Sequence, residues 1–226
     1  MITSLSAEDL NRYINAQLEH FMPDGHCFDV GGARTAFNLA LDRLENAFSA
    51  ITYKGYQKNG VPTFSHLHAD QMTQFLYFYG NSLWQTTKDD IACSKLMNLN
   101  RMLYNVFISY KCNLPEHFLL IHAFGTILGN AKYGDYLVCM QNVTVNTGSV
   151  AFEKPIIGKG CFLASYSKII GDQNIGERCS IGVGCTVYNT QIPDDSVVID
   201  NGRELVVMRN KRQFCKAQEY FNVPLM

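Results

Sequence analysis

Residues Ile157–Thr186 read I-G-K-G-C-F, L-A-S-Y-S-K, I-I-G-D-Q-N, I-G-E-R-C-S, I-G-V-G-C-T, five hexads that each open with an aliphatic residue. The same step of six extends back to Ile121, and nine of the twelve positions it meets are Ile, Leu or Val. Only 49 of the 226 residues are of these types, so chance would place two or three there. A period sustained this far indicates a structural repeat. The positions are Ile121, Ile127, Tyr133, Cys139, Val145, Ala151, Ile157, Leu163, Ile169, Ile175, Ile181 and Val187.

The repeat predicts a parallel β-helix, in which each hexad forms a short strand and a turn, and three hexads close one triangular coil. The aliphatic residue would point into the prism. Small residues would stand at the corners, where a side chain crowds the turn or φ is positive. Cys161 and Cys179 are one coil apart, so we expect them to stack inside the prism. A purely structural solenoid explains these features equally well.

The residues before the repeat have a helical period instead. Ser6 to Asp9 is typical of a helix N-terminus with a capping box. Three segments carry apolar residues at helical spacing, and a turn at Lys58–Gly60 interrupts them before Pro62. The segments are Ala33–Ile51, His66–Gln85 and Asp89–Phe107. We therefore expect a helical domain over 1–112, a β-helix over 113–200 and a partly helical tail over 201–226.

Composition favours a globular protein with a small-molecule partner. The net charge is −1, and neither nucleic acid nor a membrane surface is expected without a basic excess. No stretch approaches the roughly 18 apolar residues of a membrane-spanning helix, and the first residues lack the pattern of a secretory signal. Eight scattered cysteines without a CxxC pair are read as reduced thiols, so we expect a cytoplasmic protein.

Three segments resemble the hexapeptide-repeat acyltransferases, and among them the serine acetyltransferases. Ile121–Gly129 reads I-H-A-F-G-T-I-L-G, Cys139–Thr147 reads C-M-Q-N-V-T-V-N-T, and Ile192–Val198 reads I-P-D-D-S-V-V. The likeness covers roughly Phe64–Ile199. It implies an α+β fold, with an N-terminal α-helical domain followed by a left-handed parallel β-helix of hexapeptide repeats. It also implies a homotrimer or a dimer of trimers.

The resemblance implies transfer of an acetyl group from acetyl-CoA to the hydroxyl of a small acceptor, with His122 as general base. Imidazole suits that role because it titrates near neutral pH. A partner should fix its tautomer. Glu116 is favoured by its charge and Asn113 by alignment with the family, a backbone carbonyl could also serve, and all three remain open. The oxyanion donor is expected to be a backbone N–H in a glycine-containing turn.

Acetyl-CoA is expected along the outside of the coils, where small corner residues expose backbone groups. The candidates are Ala164, Ser165, Gly182 and Gly184, with Lys168 or the basic residues around Arg209–Arg212 for the phosphates. The glycines could instead serve the corners alone.

The acceptor side departs from the family pattern. Phe152–Pro155 reads F-E-K-P where the family has D-R-H-P, so serine, a sugar or another alcohol remains open as acceptor. Glu153, Lys154, His66 and Asp70 are the acceptor-binding candidates. The His-x-His-x-Asp spacing at His66–Asp70 also suits metal ligands, but no further His or Cys pairs with it, and no metal is expected.

Two other classes compete with this interpretation. A γ-type carbonic anhydrase shares the β-helix but needs three histidines at a metal, and the repeats offer only His122. A non-catalytic scaffold predicts that His122 is dispensable.

Overall fold

The computed structural model describes residues 1–26, 30–147 and 154–225. Four helices form the N-terminal part, close to the predicted segments: α1 (Ala7–Phe21), α2 (Val30–Ser49), α3 (Ala69–Thr87) and α4 (Asp90–Tyr104). Ser6 caps α1 by accepting the Asp9 N–H at 3.1 Å. The Asp9 carboxylate accepts the Ser6 hydroxyl at 2.6 Å, so the reciprocal contact goes to the hydroxyl and not to the backbone.

A small three-stranded sheet accompanies the helices. It contains β1 (Ile2–Thr3), β2 (Gln57–Lys58) and β3 (Val61–Phe64). The predicted turn joins β2 to β3, and Asn59 and Gly60 both take positive φ there. Two consecutive positive φ values are what a tight two-residue hairpin requires.

Short parallel strands form the three faces of a β-helix. The first face contains β4 (Phe107–Ile108), β6 (Ile127–Leu128), β9 (Thr144–Asn146), β12 (Lys168–Ile170) and β15 (Thr186–Tyr188). The second contains β7 (Lys132–Tyr133), β10 (Ile156–Ile157) and β13 (Asn174–Ile175). The third contains β5 (Phe118–Leu120), β8 (Leu137–Cys139), β11 (Phe162–Leu163), β14 (Ser180–Ile181) and β16 (Ser196–Asp200), closed by an antiparallel β17 (Leu205–Arg209).

Paired residues are 18 positions apart in the coils built from the five regular hexads. Ile157 pairs with Ile175, Leu163 with Ile181 and Ile169 with Val187. Each of these side chains is at most 1% exposed, so the aliphatic positions fill the prism as predicted. Cys161 and Cys179 precede paired strands in the same register, and the predicted stacking is confirmed.

The register shifts in the earlier coils, and one prediction was wrong there. Ile127 is 39% exposed, and Leu128 occupies the interior position beside Val145. The reason is the spacing of the paired strands: Leu128 pairs with Val145 although only 17 residues separate them, one fewer than the 18 between Ile169 and Val187. A constant step of six therefore loses the inward face outside the regular stretch.

The helical and β-helical parts are joined at several places. α3 lies against β5, and α4 leads directly into β4, which pairs with β6. After β17, a short 3₁₀ helix at Lys216–Tyr220 runs back to the first domain. There Ile51 bridges to Phe221, and the Asn222 N–H donates to the Ala50 carbonyl at 2.9 Å. The domain bounds 1–112, 113–200 and 201–226 stay predictions. No helix within the described ranges is long and apolar enough to cross a membrane.

Candidate active site

His122 lies at an enlarged corner of the β-helix. Six residues, 121–126, connect β5 to β6, whereas four residues form the equivalent corner in each of the next three coils. Ile121 is buried, and His122 is exposed with φ +50°. Non-glycine residues seldom adopt this left-handed conformation. The corner therefore presents an imidazole to solvent from a constrained backbone.

The ring of His122 is free while its backbone is held. Within the described part of the chain, neither ring nitrogen makes a hydrogen bond to protein. The His122 N–H donates to Asp70 Oδ2 at 2.8 Å, and the Ala123 N–H donates to Asp70 Oδ1 at 2.9 Å. The predicted acceptor-binding carboxylate of Asp70 thus contacts the His122 corner with both oxygens.

Tyr56 contacts the residues on either side of this region, Leu120 and His68. Its hydroxyl donates to the Leu120 carbonyl at 3.4 Å, and its ring lies edge-on to His68 at 5.6 Å. Burial, together with the charge of Asp70, raises the pKa of Tyr56 well above its ordinary value. The phenol therefore remains a neutral donor at physiological pH.

The two residues expected to orient His122 lie elsewhere. Both oxygens of Glu116 accept from Arg43, at 3.0 Å and 3.2 Å, which ties Glu116 to α2. Asn113 is exposed and follows Cys112, whose thiol donates to the Gly129 carbonyl at the corner after β6. The structure brings neither side chain to the His122 corner.

The predicted acetyl-CoA residues lie on the same edge of the prism as His122. Ala164 and Ser165 belong to the corner between β11 and β12, and Gly182 and Gly184 to the corner between β14 and β15. Neighbouring strands are about 4.8 Å apart, so these corners lie roughly 10 and 14 Å from the His122 corner along the stack. Lys168 begins β12 beside this edge with its side chain exposed.

Exposed apolar side chains accompany this edge. Phe124 is 55% exposed, Tyr166 53% and Val183 70%. The basic cluster of the tail belongs to another edge, because Arg209 pairs with Ser196 at the start of β16. Lys168 is thus the predicted phosphate-binding residue that shares the edge with His122.

The other acceptor-side candidates are distributed around the molecule. His66 Nδ1 lies 2.8 Å from the Ser4 hydroxyl, and its ring lies edge-on to Tyr13. Lys154 is exposed just before β10, and Glu153 lies outside the described residues. In the described ranges, no group of three or more His, Cys, Asp or Glu side chains could hold a metal ion.

An open cleft of about 360 Å³ lies between the end of α4 and the second half of the His122 corner. Gly125, Thr126 and Ile127 form one wall, and the end of α4 supplies Arg101 and Asn105. The Arg101 guanidinium lies 5.9 Å from the centre of the Phe107 ring and has no ion-pair partner among the described residues. Sequence reasoning missed Arg101, whose only signal is its place in the last turn of a helix.

Gly125 is required at this corner because Asn142 leaves no room for a side chain. Gly125 has φ +74°, and a Cβ there would stand 2.1 Å from Asn142 Oδ1. The Gly125 N–H donates to the Asn105 carbonyl at 2.8 Å, while the Thr126 N–H donates to the Ala123 carbonyl at 3.1 Å. Within the described structure, the Phe124 N–H is the one amide of residues 121–126 without an acceptor.

Comparison with known proteins gives curated sequence relatives that match part of the chain. No family model matches the chain. A serine acetyltransferase of Synechococcus elongatus is 30% identical over 107 residues, which are 46% of this chain and 43% of that protein. The chain thus spans less than half the length of this curated relative.

Solved structures extend the likeness to the helical part. A serine acetyltransferase of Vibrio cholerae matches with a TM-score of 0.65 at 17% identity, over 82% of this chain and 71% of the other. A serine acetyltransferase solved in complex with CoA matches with a TM-score of 0.63 at 16% identity, over 77% and 72%. Identities this low carry the fold alone, and they confirm the α+β class with its left-handed β-helix. The chain has the fold of the serine acetyltransferases, and the resemblance to the hexapeptide-repeat acyltransferases is confirmed.

Proposed function

We propose that this protein is an acetyl-CoA-dependent O-acetyltransferase of the serine acetyltransferase type, acting on the hydroxyl of a small acceptor. The observation that carries the proposal is His122, an exposed imidazole on a constrained corner whose ring nitrogens bond to none of the described residues. It occupies the position that the resemblance gives to the catalytic histidine. A curated relative that matches 107 residues of the chain is itself named a serine acetyltransferase.

His122 would accept the hydroxyl proton as the acceptor oxygen attacks the thioester carbonyl carbon. The new C–O bond forms a tetrahedral intermediate, and its collapse breaks the C–S bond. The imidazolium then returns the proton to the departing CoA sulfur. The unpaired Phe124 N–H is our candidate for the oxyanion donor, because a backbone amide fixed in a turn needs no rearrangement during the reaction.

Acetyl-CoA would lie along the edge that carries His122, Ala164, Ser165, Gly182 and Gly184. The N–H groups of Ala164, Gly182 and Gly184 already donate within the coils, and Ala164 is buried. Small side chains at this edge would let the pantetheine arm approach closely, and Lys168 would supply a positive charge for a phosphate. The CoA complex of a protein with the same fold supports this co-substrate.

The acceptor would enter the cleft beside Gly125. Arg101 suits an acceptor with a carboxylate such as serine, and the Asn105 side chain suits a hydroxyl or amine. A sugar or another alcohol remains the alternative acceptor.

A homotrimer would place this edge between subunits. The exposed side chains of Phe124, Tyr166 and Val183 support such a contact, since burying them removes apolar surface from water. Seven described cysteines are buried free thiols, which supports a reducing compartment such as the cytoplasm.

The test is thiol release from acetyl-CoA with a panel of amino acids, sugars and alcohols, comparing the protein with His122→Ala. We expect turnover with one class of acceptor and a fall of roughly 100-fold or more in kcat for the variant, the usual scale for removing a general base. His20→Ala, at the exposed end of α1, is the control and should match the unsubstituted protein.

Equal turnover by His122→Ala would refute the assignment of the base. If no acceptor releases thiol and acetyl-CoA does not bind in calorimetry, the scaffold interpretation replaces the enzyme. A stable monomer in sedimentation would refute a site between subunits.

A further inference from the structure

In the later coils one corner residue makes both the ladder hydrogen bond and the turn hydrogen bond. At the His122 corner, which has two extra residues, two different residues make these bonds. In a later coil, Ala164 donates its N–H to the Ile181 carbonyl at 3.0 Å and accepts the Ser167 N–H at 3.1 Å. At the His122 corner, Ile121 makes the ladder bond to the Cys139 carbonyl at 2.9 Å, and Ala123 makes the turn bond to Thr126. His122 stands between them as a bulge.

Such a bulge leaves amide groups without ladder partners. The N–H groups of His122 and Ala123 have no carbonyl to meet in the next coil, and an unpaired amide shielded from water is costly. Asp70 supplies both acceptors, at 2.8 Å and 2.9 Å. Asp70 is only 9% exposed, so solvent competes little for these bonds.

Asp70 is itself held by the helical domain. It is the second residue of α3, a helix whose residues from Asp70 to Leu83 are all buried. Negative charge is stabilised near a helix N-terminus by the helix dipole. The carboxylate is therefore a fixed anchor that reaches the corner from another domain, 52 residues away in the chain.

We propose that Asp70 is a positioning residue that fixes the backbone of His122 and thereby aims its imidazole at the acceptor hydroxyl. This inference rests on the proposed function. The ring makes no hydrogen bond to the described residues, so its direction depends on a backbone in a sparsely populated conformation at φ +50°. The two bonds from Asp70 hold that conformation.

Asp70→Asn tests the proposal with nearly the same side-chain shape. The amide offers one oxygen, and its NH₂ group faces an N–H donor, so one of the two bonds is lost. We expect kcat for thiol release to fall about 10- to 100-fold, the scale that follows from small misplacement of a catalytic group. The KM for acetyl-CoA should change by less than about threefold, because uniform binding is retained.

Asp89→Asn is the matched control. Asp89 also accepts a helix N-terminal amide, that of Ala92 at 3.0 Å, but it caps α4 at the end away from the cleft. Its substitution should lower the melting temperature without lowering kcat. An unchanged kcat in Asp70→Asn, beside an inactive His122→Ala, would overturn the inference and leave the proposed function intact.

We call the two hydrogen bonds from the His122 and Ala123 amides to Asp70 the clamp. Hydrogen exchange tests it in the unsubstituted protein, independently of turnover. The amides of His122 and Ala123 should exchange at least about tenfold more slowly than unprotected peptide amides, although the corner faces solvent. Exchange at the unprotected rate would overturn the proposal even if Asp70→Asn were inactive or failed to fold. Protection without any thiol release would instead refute the proposed function and keep the clamp.

Discussion

Arg101 provides the positive charge beside the His122 corner. Its guanidinium is exposed at the end of α4, where it lines the cleft with Asn105 and Phe107. An unpaired guanidinium suits a carboxylate, which it can hold through two parallel hydrogen bonds. Under the proposed function, Arg101 would therefore bear on the choice of acceptor more than on the chemical step.

We expect Arg101→Gln to raise the KM for a carboxylate-bearing acceptor about tenfold or more, the scale of a lost charge-assisted hydrogen bond. The KM for acetyl-CoA should stay unchanged in steady-state thiol-release kinetics. Arg34→Gln, at an exposed position of α2, is the control. Equal acceptor KM values in all three proteins would exclude a contact between Arg101 and the acceptor.

Single residues show where sequence reasoning ends. His122 could be selected from its local pattern, because the motif is contiguous. Asp70 stood out by its spacing from His66 and His68, but its contact with the His122 backbone spans 52 residues and depends on how α3 docks. Glu116 was a reasonable partner for an imidazole, yet Arg43 on α2 takes both of its oxygens.

Charged side chains reinforce the stacked corners of the β-helix. Arg178 and Asp195 both adopt positive φ at corners one coil apart. The Arg178 Nε donates to Asp195 Oδ1 at 2.7 Å, and Nη2 donates to Oδ2 at 3.1 Å. The hydrogen bond from Arg178 outweighs partial burial and holds the pKa of Asp195 below its ordinary value.

This pair predicts a pH-dependent stability. Because the pKa of Asp195 is lower in the folded state than the roughly 3.9 of an unfolded aspartate, its contribution is present above that pH and is lost as pH falls through the folded pKa. The melting temperature of Asp195→Asn should lie below that of the unsubstituted protein at pH 7, and the two should converge toward pH 2.

Asp172→Asn is the control for this comparison, since Asp172 is exposed and forms no ion pair among the described residues. Its melting temperature should follow that of the unsubstituted protein at every pH. A gap between Asp195→Asn and the unsubstituted protein that stays constant down to pH 2 would contradict the ion-pair explanation.

For the strands and corners of the β-helix, the sequence predicted the regular coil and missed its irregularities. Five regular hexads define the register from Ile157 to Thr186, because each interior residue stacks on an equivalent one. The coil from Leu128 to Val145 is one residue shorter than the 18 of the regular stretch, so a constant step of six places Ile127 inside when Leu128 is there. Corners that depart from the period are set by contacts outside the repeat, such as that of Asp70.

The C-terminal segment fastens the two domains together. Phe221 is 3% exposed, bridges to Ile51 and lies edge-on to the Tyr136 ring at 5.2 Å. The segment thus contacts both the end of α2 and the third face of the β-helix. No periodicity in residues 201–226 indicates this path, because it depends on the surface left by two separate domains.

We expect Phe221→Ala to lower the free energy of unfolding by about 3–5 kcal/mol, the usual cost of truncating a buried phenylalanine. Phe214→Ala, in the same segment but 46% exposed, should cost less than about 1 kcal/mol. Urea unfolding followed by fluorescence of Trp84, the single tryptophan, reports on the helical domain. Equal losses in the two variants would show that the segment does not couple the domains.

The position of the bulge has a consequence for engineering. β5 is the terminal strand of its face, so the loop of Ile121–Ala123 has a coil on one side only and meets α3 on the other. The same two extra residues inserted between two coils would separate paired strands above and below, with no carboxylate to receive the freed amides. A histidine corner of this kind can therefore be transplanted to another hexapeptide solenoid only at its open end, and only together with an acidic residue from a neighbouring helix.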